Sequence, residues 1–286
     1  MTHVRSLASL LVLTLMPGLT VADVGSRLWA TGGVTTIEGS AGGGLVPMAV
    51  LSGYASDTEW GGTASLSRLT TDGYSFHGAG ATVSAFNRVE LSVARQTLDL
   101  DTLGASLRQD ELAQTVYGLK VRAFGDLIYD PLGQWSVGIQ HKRNTTEAIP
   151  NAIGSRDNTG TDVYISGSRL FLAAIGGRNL LINGTLRATR ANQTGLLGFG
   201  GDRNDDHELM AELSAGLLLN RHWLVGMEYR QKPDNLSFAR EQDARDLFVA
   251  WFPHRRVSVT AAWVQLGDIA GLSDQQGPFA AIEASF

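Results

Sequence analysis

The chain has 286 residues, 43% of them hydrophobic and 18% charged, with 34 glycines, no cysteine and a formal net charge of −5. The acidic balance argues against a nucleic-acid partner, because phosphate binding needs a basic surface. Without cysteine there can be no disulfide, thiolate metal site or lipid attached through a cysteine.

Residues 1–22 read as a secretory signal peptide. Arg5 supplies the positive region, residues 7–15 an apolar run too short to span a bilayer, and Thr20-Val21-Ala22 a small-residue cleavage site. Cleavage would remove Arg5 and no acid, leaving about 264 residues with a net charge near −6. Beyond this segment no stretch is long and apolar enough for a membrane helix. Mean hydropathy is close to zero. A membrane barrel gives that average, since each strand has one lipid face and one polar face. A soluble β-sandwich gives it too, so composition does not separate them.

Periodicity goes further. Residues 23–44 are weakly patterned and end in a glycine-rich stretch, so they suit either an extra strand (residues 29–38) or a small plug in a lumen. Thirteen strand-like segments follow, near 45–55, 59–70, 74–86, 88–98, 112–125, 134–144, 161–172, 179–191, 207–219, 222–232, 244–253, 255–266 and 277–286. Residues 45–286 therefore read as the barrel. In the clearest segment Leu209, Ala211, Leu213, Ala215, Leu217 and Leu219 share one parity, against Glu208, Glu212, Ser214 and Gly216. Tyr117, Leu119, Val121 and Ala123 oppose Gly118, Lys120 and Arg122 in the same way. So many apolar positions on one face exceed an ordinary sandwich strand.

Short turns near residues 56–58, 86–88, 220–221 and 253–254 alternate with long links at 99–111, 145–160, 192–206, 233–243 and 267–276. Short periplasmic turns and long outer loops are the outer-membrane pattern, although the links at 125–134 and 172–179 are long for periplasmic turns. The expected fold is all-β, a transmembrane antiparallel barrel of about 12–14 strands in the outer membrane of a Gram-negative bacterium. Thirteen is an odd count for a bacterial barrel, so either one segment is not a spanning strand or residues 29–38 add a fourteenth. Trp60, Trp135, Trp223 and Trp251 then fall at the periplasmic rim, and Trp263, Tyr229 and Tyr117 near the outer rim, as aromatic girdles require.

The chain ends on alternating residues, Pro278, Ala280, Ile282, Ala284 and Phe286, with Glu283 and Ser285 on the other parity. This resembles the closing strand of bacterial outer-membrane barrels. The resemblance implies that Phe286 belongs to the assembly signal read by the barrel assembly machinery. Gly43-Gly-Leu-Val-Pro-Met-Ala-Val-Leu-Ser-Gly-Tyr54 and Asn87-Arg-Val-Glu-Leu-Ser-Val-Ala-Arg-Gln-Thr97 resemble the Gram-negative family called domain of unknown function 3034, most strongly over residues 28–125. That resemblance implies an outer-membrane protein and carries no catalytic or binding residue.

The polar parity predicts a lumen lined by Glu90, Gln96, Lys120, Arg122, Gln140, Lys142, Asp162, Arg187, Glu212, Glu228, Arg230 and Asp246. Glu90, Lys120, Arg122, Lys142, Arg187, Glu212, Glu228 and Arg230 are the candidate lumen-lining binding residues among them. They suit a water-filled pore for small polar solutes, or equally an ion-pair network filling a narrow barrel. The leading expectation is a passive channel or transporter for small solutes, with a hydrophobic substrate entering from outside as a variant. The alternatives are a structural or adhesive barrel with a packed interior, and an outer-membrane lipid hydrolase using His77 or His141. No serine has a claim to partner either histidine, so no enzyme is expected. Scattered histidines give no reason to expect a metal or other cofactor. Asp202, Asp205 and Asp206 read as a solvated acidic loop. Residues 195–201 lack the ending of a nucleotide-binding loop and suit a loop folded toward the pore. The expected partners are outer-membrane lipids, lipopolysaccharide and the assembly machinery, with no nucleic acid. The sequence leaves oligomeric state open.

Overall fold

The structure, a computed structural model, describes residues 20–21, 34–100 and 111–286. Twelve strands run antiparallel in chain order: β1 (Glu59–Thr70), β2 (Ser75–Ala85), β3 (Val89–Asp99), β4 (Glu111–Phe124), β5 (Gln134–Asn144), β6 (Thr159–Ile175), β7 (Arg178–Thr189), β8 (Glu208–Leu218), β9 (Trp223–Arg230), β10 (Ala244–His254), β11 (Val257–Ile269) and β12 (Leu272–Ser285). β12 pairs with β1, from Phe279↔Leu69 to Ser285↔Thr63, and β1 pairs with β2, so the sheet closes and has no edge. Thr20–Val21 lie parallel to Glu59–Trp60. The rest of the predicted signal peptide lies outside the described residues.

Alternation explains the two faces. Leu66, Leu91, Tyr117, Leu209, Leu213, Met227, Leu247 and Ile282 are exposed on the outside, while Glu90, Lys120, Glu212, Glu228 and Glu283 are buried inside. Aromatic rings gather at the expected rim. Trp223 stacks on Trp251 at 5.8 Å, Phe124 on Trp135 at 6.1 Å, and Phe286 meets Trp60 edge-on at 5.9 Å.

Three expectations are corrected. Residues 45–55 form no wall strand, and β1 begins at Glu59. This settles the odd count at twelve. Of the two readings open for residues 23–44, an extra strand or a small plug, the described residues 34–35 fit the second, pairing with 41–42 inside the barrel, while residues 23–33 lie outside the described residues. The long link predicted at 267–276 is instead a tight hairpin, with β11 reaching Ile269 and β12 starting at Leu272. A register shift around Gly267 breaks the alternation there, which hides the strand ends from a periodicity reading. The link at 172–179 likewise shrinks to Gly176-Gly177, whose φ values of 56° and 75° fit a two-residue hairpin turn.

The C-terminus closes the ring. Phe286 N–H donates to the Gly62 carbonyl at 3.0 Å, and its own carbonyl accepts from Gly62 N–H at 3.1 Å. Deleting Phe286 is expected to cost about 1–3 kcal/mol of intrinsic stability, the scale of burying one Phe side chain. Such a chain should refold from urea into detergent yet accumulate as protease-sensitive protein in the periplasm. Normal outer-membrane levels on a heat-modifiability gel would separate this residue from assembly.

Candidate functional site: an occupied lumen

A segment of backbone inside a barrel has no strand to pair with, so its N–H and C=O groups need other partners. Residues 34–55 occupy the lumen in this way. Val34–Thr35 and Ala41–Gly42 make a two-residue ladder around a turn at 36–40. Inward side chains of the wall satisfy much of the rest. Glu90 on β3 accepts from Ala41 N–H at 3.1 Å and Ser52 N–H at 2.8 Å. Lys120 on β4 donates to the Ala41 and Val50 carbonyls at 2.7 and 2.9 Å and lies 3.3 Å from Glu90. The Ala49 carbonyl accepts from Gln134 and Ser136 on β5, each at 2.6 Å. The Pro47 carbonyl accepts from Thr185 on β7 at 2.8 Å. Glu228 on β9 accepts from Leu45 N–H at 2.7 Å and Val46 N–H at 3.3 Å. Near the end of the barrel that holds Phe286, Ser52 meets Thr82 and Ser84 on β2, each at 2.6 Å.

One inner side chain carries a full charge into this arrangement. Glu38 is fully buried, 2.5 Å from Lys142 and 2.9 Å from Arg230, with Arg187 at 3.4 Å. Both guanidinium nitrogens of Arg230 reach it, a fork-to-fork contact. On the wall, Lys142 also meets Asp162 at 2.7 Å, and Arg187 meets Glu212 at 2.6 Å. Three cations thus face three carboxylates. Without Glu38 the wall would hold one buried cation in excess.

Seven of the eight predicted binding candidates therefore sit in the lumen around this segment: Glu90, Lys120, Lys142, Arg187, Glu212, Glu228 and Arg230. Arg122 is different. It lies at the rim that carries the Trp223–Trp251 and Phe124–Trp135 pairs, bonding the Gly125 carbonyl and 3.7 Å from Asp126. Glu38 was not anticipated. It sits between Ile37 and Gly39 in a stretch with little alternation, and nothing in its spacing ties it to the wall. Asp246 lies directly across from Glu228 in the β9–β10 register, and both are buried.

One side of the outer half of the lumen is apolar. Leu69, Phe76, Leu98, Val264 and Phe279 point inward near the outer ends of their strands, and Ile37 and Leu45 of the inner segment form the floor. Together they line a cavity of about 60 Å³. Its roof is the loop after β7. As residues 195–201 suggested, this loop folds into the barrel: Lys142 and Gln114 donate to the Thr194 carbonyl at 3.1 and 3.2 Å, and Asn144 to the Leu196 carbonyl at 2.7 Å.

A second loop, residues 231–243, latches the roof. Glu241 accepts from Gln193 N–H at 2.6 Å, and Lys232 donates to the Gln193 side chain at 3.1 Å. Burial pushes the Glu241 carboxyl up to about 7. Lys232 lies 3.8 Å away, close enough to oppose that rise and too far to cancel it. The folded value lies above the ordinary one, so the proton favours the latched state. Its contribution is complete below about pH 4.5 and is lost as pH rises through about 7. Residues 192–199 should accordingly exchange amide hydrogens faster at pH 8 than at pH 5, after correction for intrinsic rates. Equal protection would disconnect Glu241 from the roof.

Other candidates stay apart. His77 and His141 are exposed on the outward face; His77 lies 3.4 Å from Asp99 and His141 3.0 Å from the Thr161 hydroxyl. Neither meets a serine among the described residues. Asp205 pairs with Arg190 at 2.6 Å, and Asp202 accepts from Ser237 N–H at 2.9 Å.

The sequence profile of the family described as "Protein of unknown function (DUF3034)" matches residues 31–283, and the chain belongs to that family. No curated protein matches it. Among solved structures it is similar to the KdgM porin, at 9% identity and a TM-score of 0.51, over 78% of this chain and 99% of that one. It is also similar to the outer membrane protein Omp33 of Acinetobacter baumannii (13% identity, TM-score 0.46, 79% and 98% covered) and to outer membrane phospholipase A of Escherichia coli (8%, 0.41, 83% and 95%). At such identities the likeness is one of fold, that of an outer-membrane β-barrel.

Proposed function

We propose that this member of the DUF3034 family is a closed outer-membrane channel for small, neutral, apolar solutes entering from outside. Residues 34–55 act as its inner gate. The observation that carries this reading is the apolar chamber above the gate. Barrel interiors are ordinarily polar, yet here inward Leu69, Phe76, Leu98, Val264 and Phe279 come together beneath the roof loop. The two cations at the chamber's edge are already engaged, Arg230 by Glu38 and Lys232 by Gln193 and the Leu266 carbonyl, so the chamber offers a ligand no free charge. At about 60 Å³ it is smaller than usual ligand pockets, so the roof must lift for entry. Beside the gate the wall carries Glu90, Lys120, Thr185 and Glu228, which water can solvate when the gate moves.

The hydrogen bonds that fill the lumen also favour a second reading, a packed barrel acting through its outer loops. Uptake of naphthalene by intact cells separates the two. The channel reading expects faster entry than in cells without the protein, and loss of that gain in a Val264→Trp variant, whose ring fills the chamber. Equal entry with and without properly folded protein would favour the packed barrel.

A further inference from the structure

Charge on the lipid face of a barrel is costly at mid-membrane and cheap only near the headgroups. Arg68, Arg95 and Arg143 are all exposed on the outward face. They lie near the outer ends of β1, β3 and β5, three strands that run in the same direction. The register ties them into one band. Arg68 pairs with His77, Arg95 with Thr115, and Thr115 with Arg143. Arg95 donates to the Thr115 and Thr145 hydroxyls at 3.3 and 3.0 Å, which aims it along the band. Among the described residues, neither Arg68 nor Arg143 has an ion-pair partner, and the nearby Asp99 is taken by His77.

A second feature lies directly below. Ala79 and Ala280 leave a shallow groove on the outer wall between β12 and β3, bordered by Leu66 and Ile282 and topped by Arg68 and Arg95. Small residues there make room for a hydrocarbon chain against the barrel.

The geometry points to a docking surface for a phosphorylated glycolipid of the outer leaflet, the bisphosphorylated acyl disaccharide of lipid A. The arginines take its phosphates and the groove takes an acyl chain. A guanidinium is planar and grips phosphate through two parallel hydrogen bonds, which favours arginine over lysine in this role. The band spans four strand spacings, roughly 19 Å. One phosphate cannot serve both ends of that span, whereas a headgroup with a phosphate at each end can. This favours such a headgroup over an ordinary phospholipid with its single phosphate.

Native mass spectrometry of the detergent-folded full chain tests it with three probes: bisphosphorylated lipid A, monophosphoryl lipid A and phosphatidylglycerol. Bisphosphorylated lipid A should be retained best, the monophosphoryl form about tenfold less, and phosphatidylglycerol least. Arg68→Gln/Arg95→Gln/Arg143→Gln should lose lipid A binding by about tenfold or more while keeping normal heat-modifiability. Arg245→Gln, on the far side of the barrel at the same rim, should bind as the parent does. Equal retention by the triple variant, or phosphatidylglycerol held as tightly as lipid A, would overturn the assignment.

Discussion

Replacing Glu38 by alanine is expected to release the inner segment and turn a closed barrel into a conducting one. The carboxylate is the only acidic side chain that residues 34–55 bring to the wall, and it meets Lys142, Arg187 and Arg230 at once. Its loss strands a buried cation, and breaking a buried pair from one side typically costs about 3–5 kcal/mol. That cost falls on the occupied state. An opened lumen admits water, which solvates the three cations, so the balance shifts toward opening. The barrel wall should survive, because its strands are held by their own ladders from β1 round to β12. In planar bilayers Glu38→Ala should show frequent, long openings with unchanged heat-modifiability. Silence from correctly folded protein would mean that the remaining hydrogen bonds hold the segment without this charge.

Substituting Gly43 by valine should produce the same phenotype by collision. A Cβ at this position would fall 1.9 Å from one Glu228 carboxylate oxygen and 2.4 Å from the carboxyl carbon. Glu228 cannot step aside cheaply. It is buried and accepts from Leu45 N–H, Val46 N–H and the Ser214 hydroxyl. Those are the contacts that hold the inner segment beneath the apolar chamber, so relieving the clash means giving them up. Gly43→Val should raise conductance as Glu38→Ala does, and the double variant should add little to either. Fully additive effects would indicate two independent parts rather than one moving segment.

The wall was legible in the sequence and its contents were not. Period-two alternation put Glu90, Lys120, Glu212 and Glu228 on the inward face, since charge toward lipid is costly and the membrane enforces one answer. Residues 45–55 were read as a strand as well, and here the inference failed. Leu45, Val46, Met48, Val50 and Leu51 are apolar because the lumen buries them from all sides, and not because they face lipid. The segment meets the wall mostly through its backbone, and a backbone carbonyl such as that of Pro47 leaves no trace in residue identity. Glu38 had no partner in sequence range, as its cations lie more than a hundred positions away. The apolar chamber was equally hidden. Leu69, Phe76 and Phe279 have polar or small neighbours on their own parity, and only closure of the barrel places them side by side.

The most direct test of a mobile gate uses the chain's lack of cysteine. Ser52 of the inner segment and Thr82 of β2 touch through their hydroxyls at 2.6 Å, so Ser52→Cys/Thr82→Cys places two sulfurs where one disulfide can fasten the segment to the wall. Single-channel recordings in oxidising and reducing buffer, on a Glu38→Ala background, read the result. The account predicts that openings vanish when the bond forms and return when it is reduced. Openings that persist in fully cross-linked protein would contradict it.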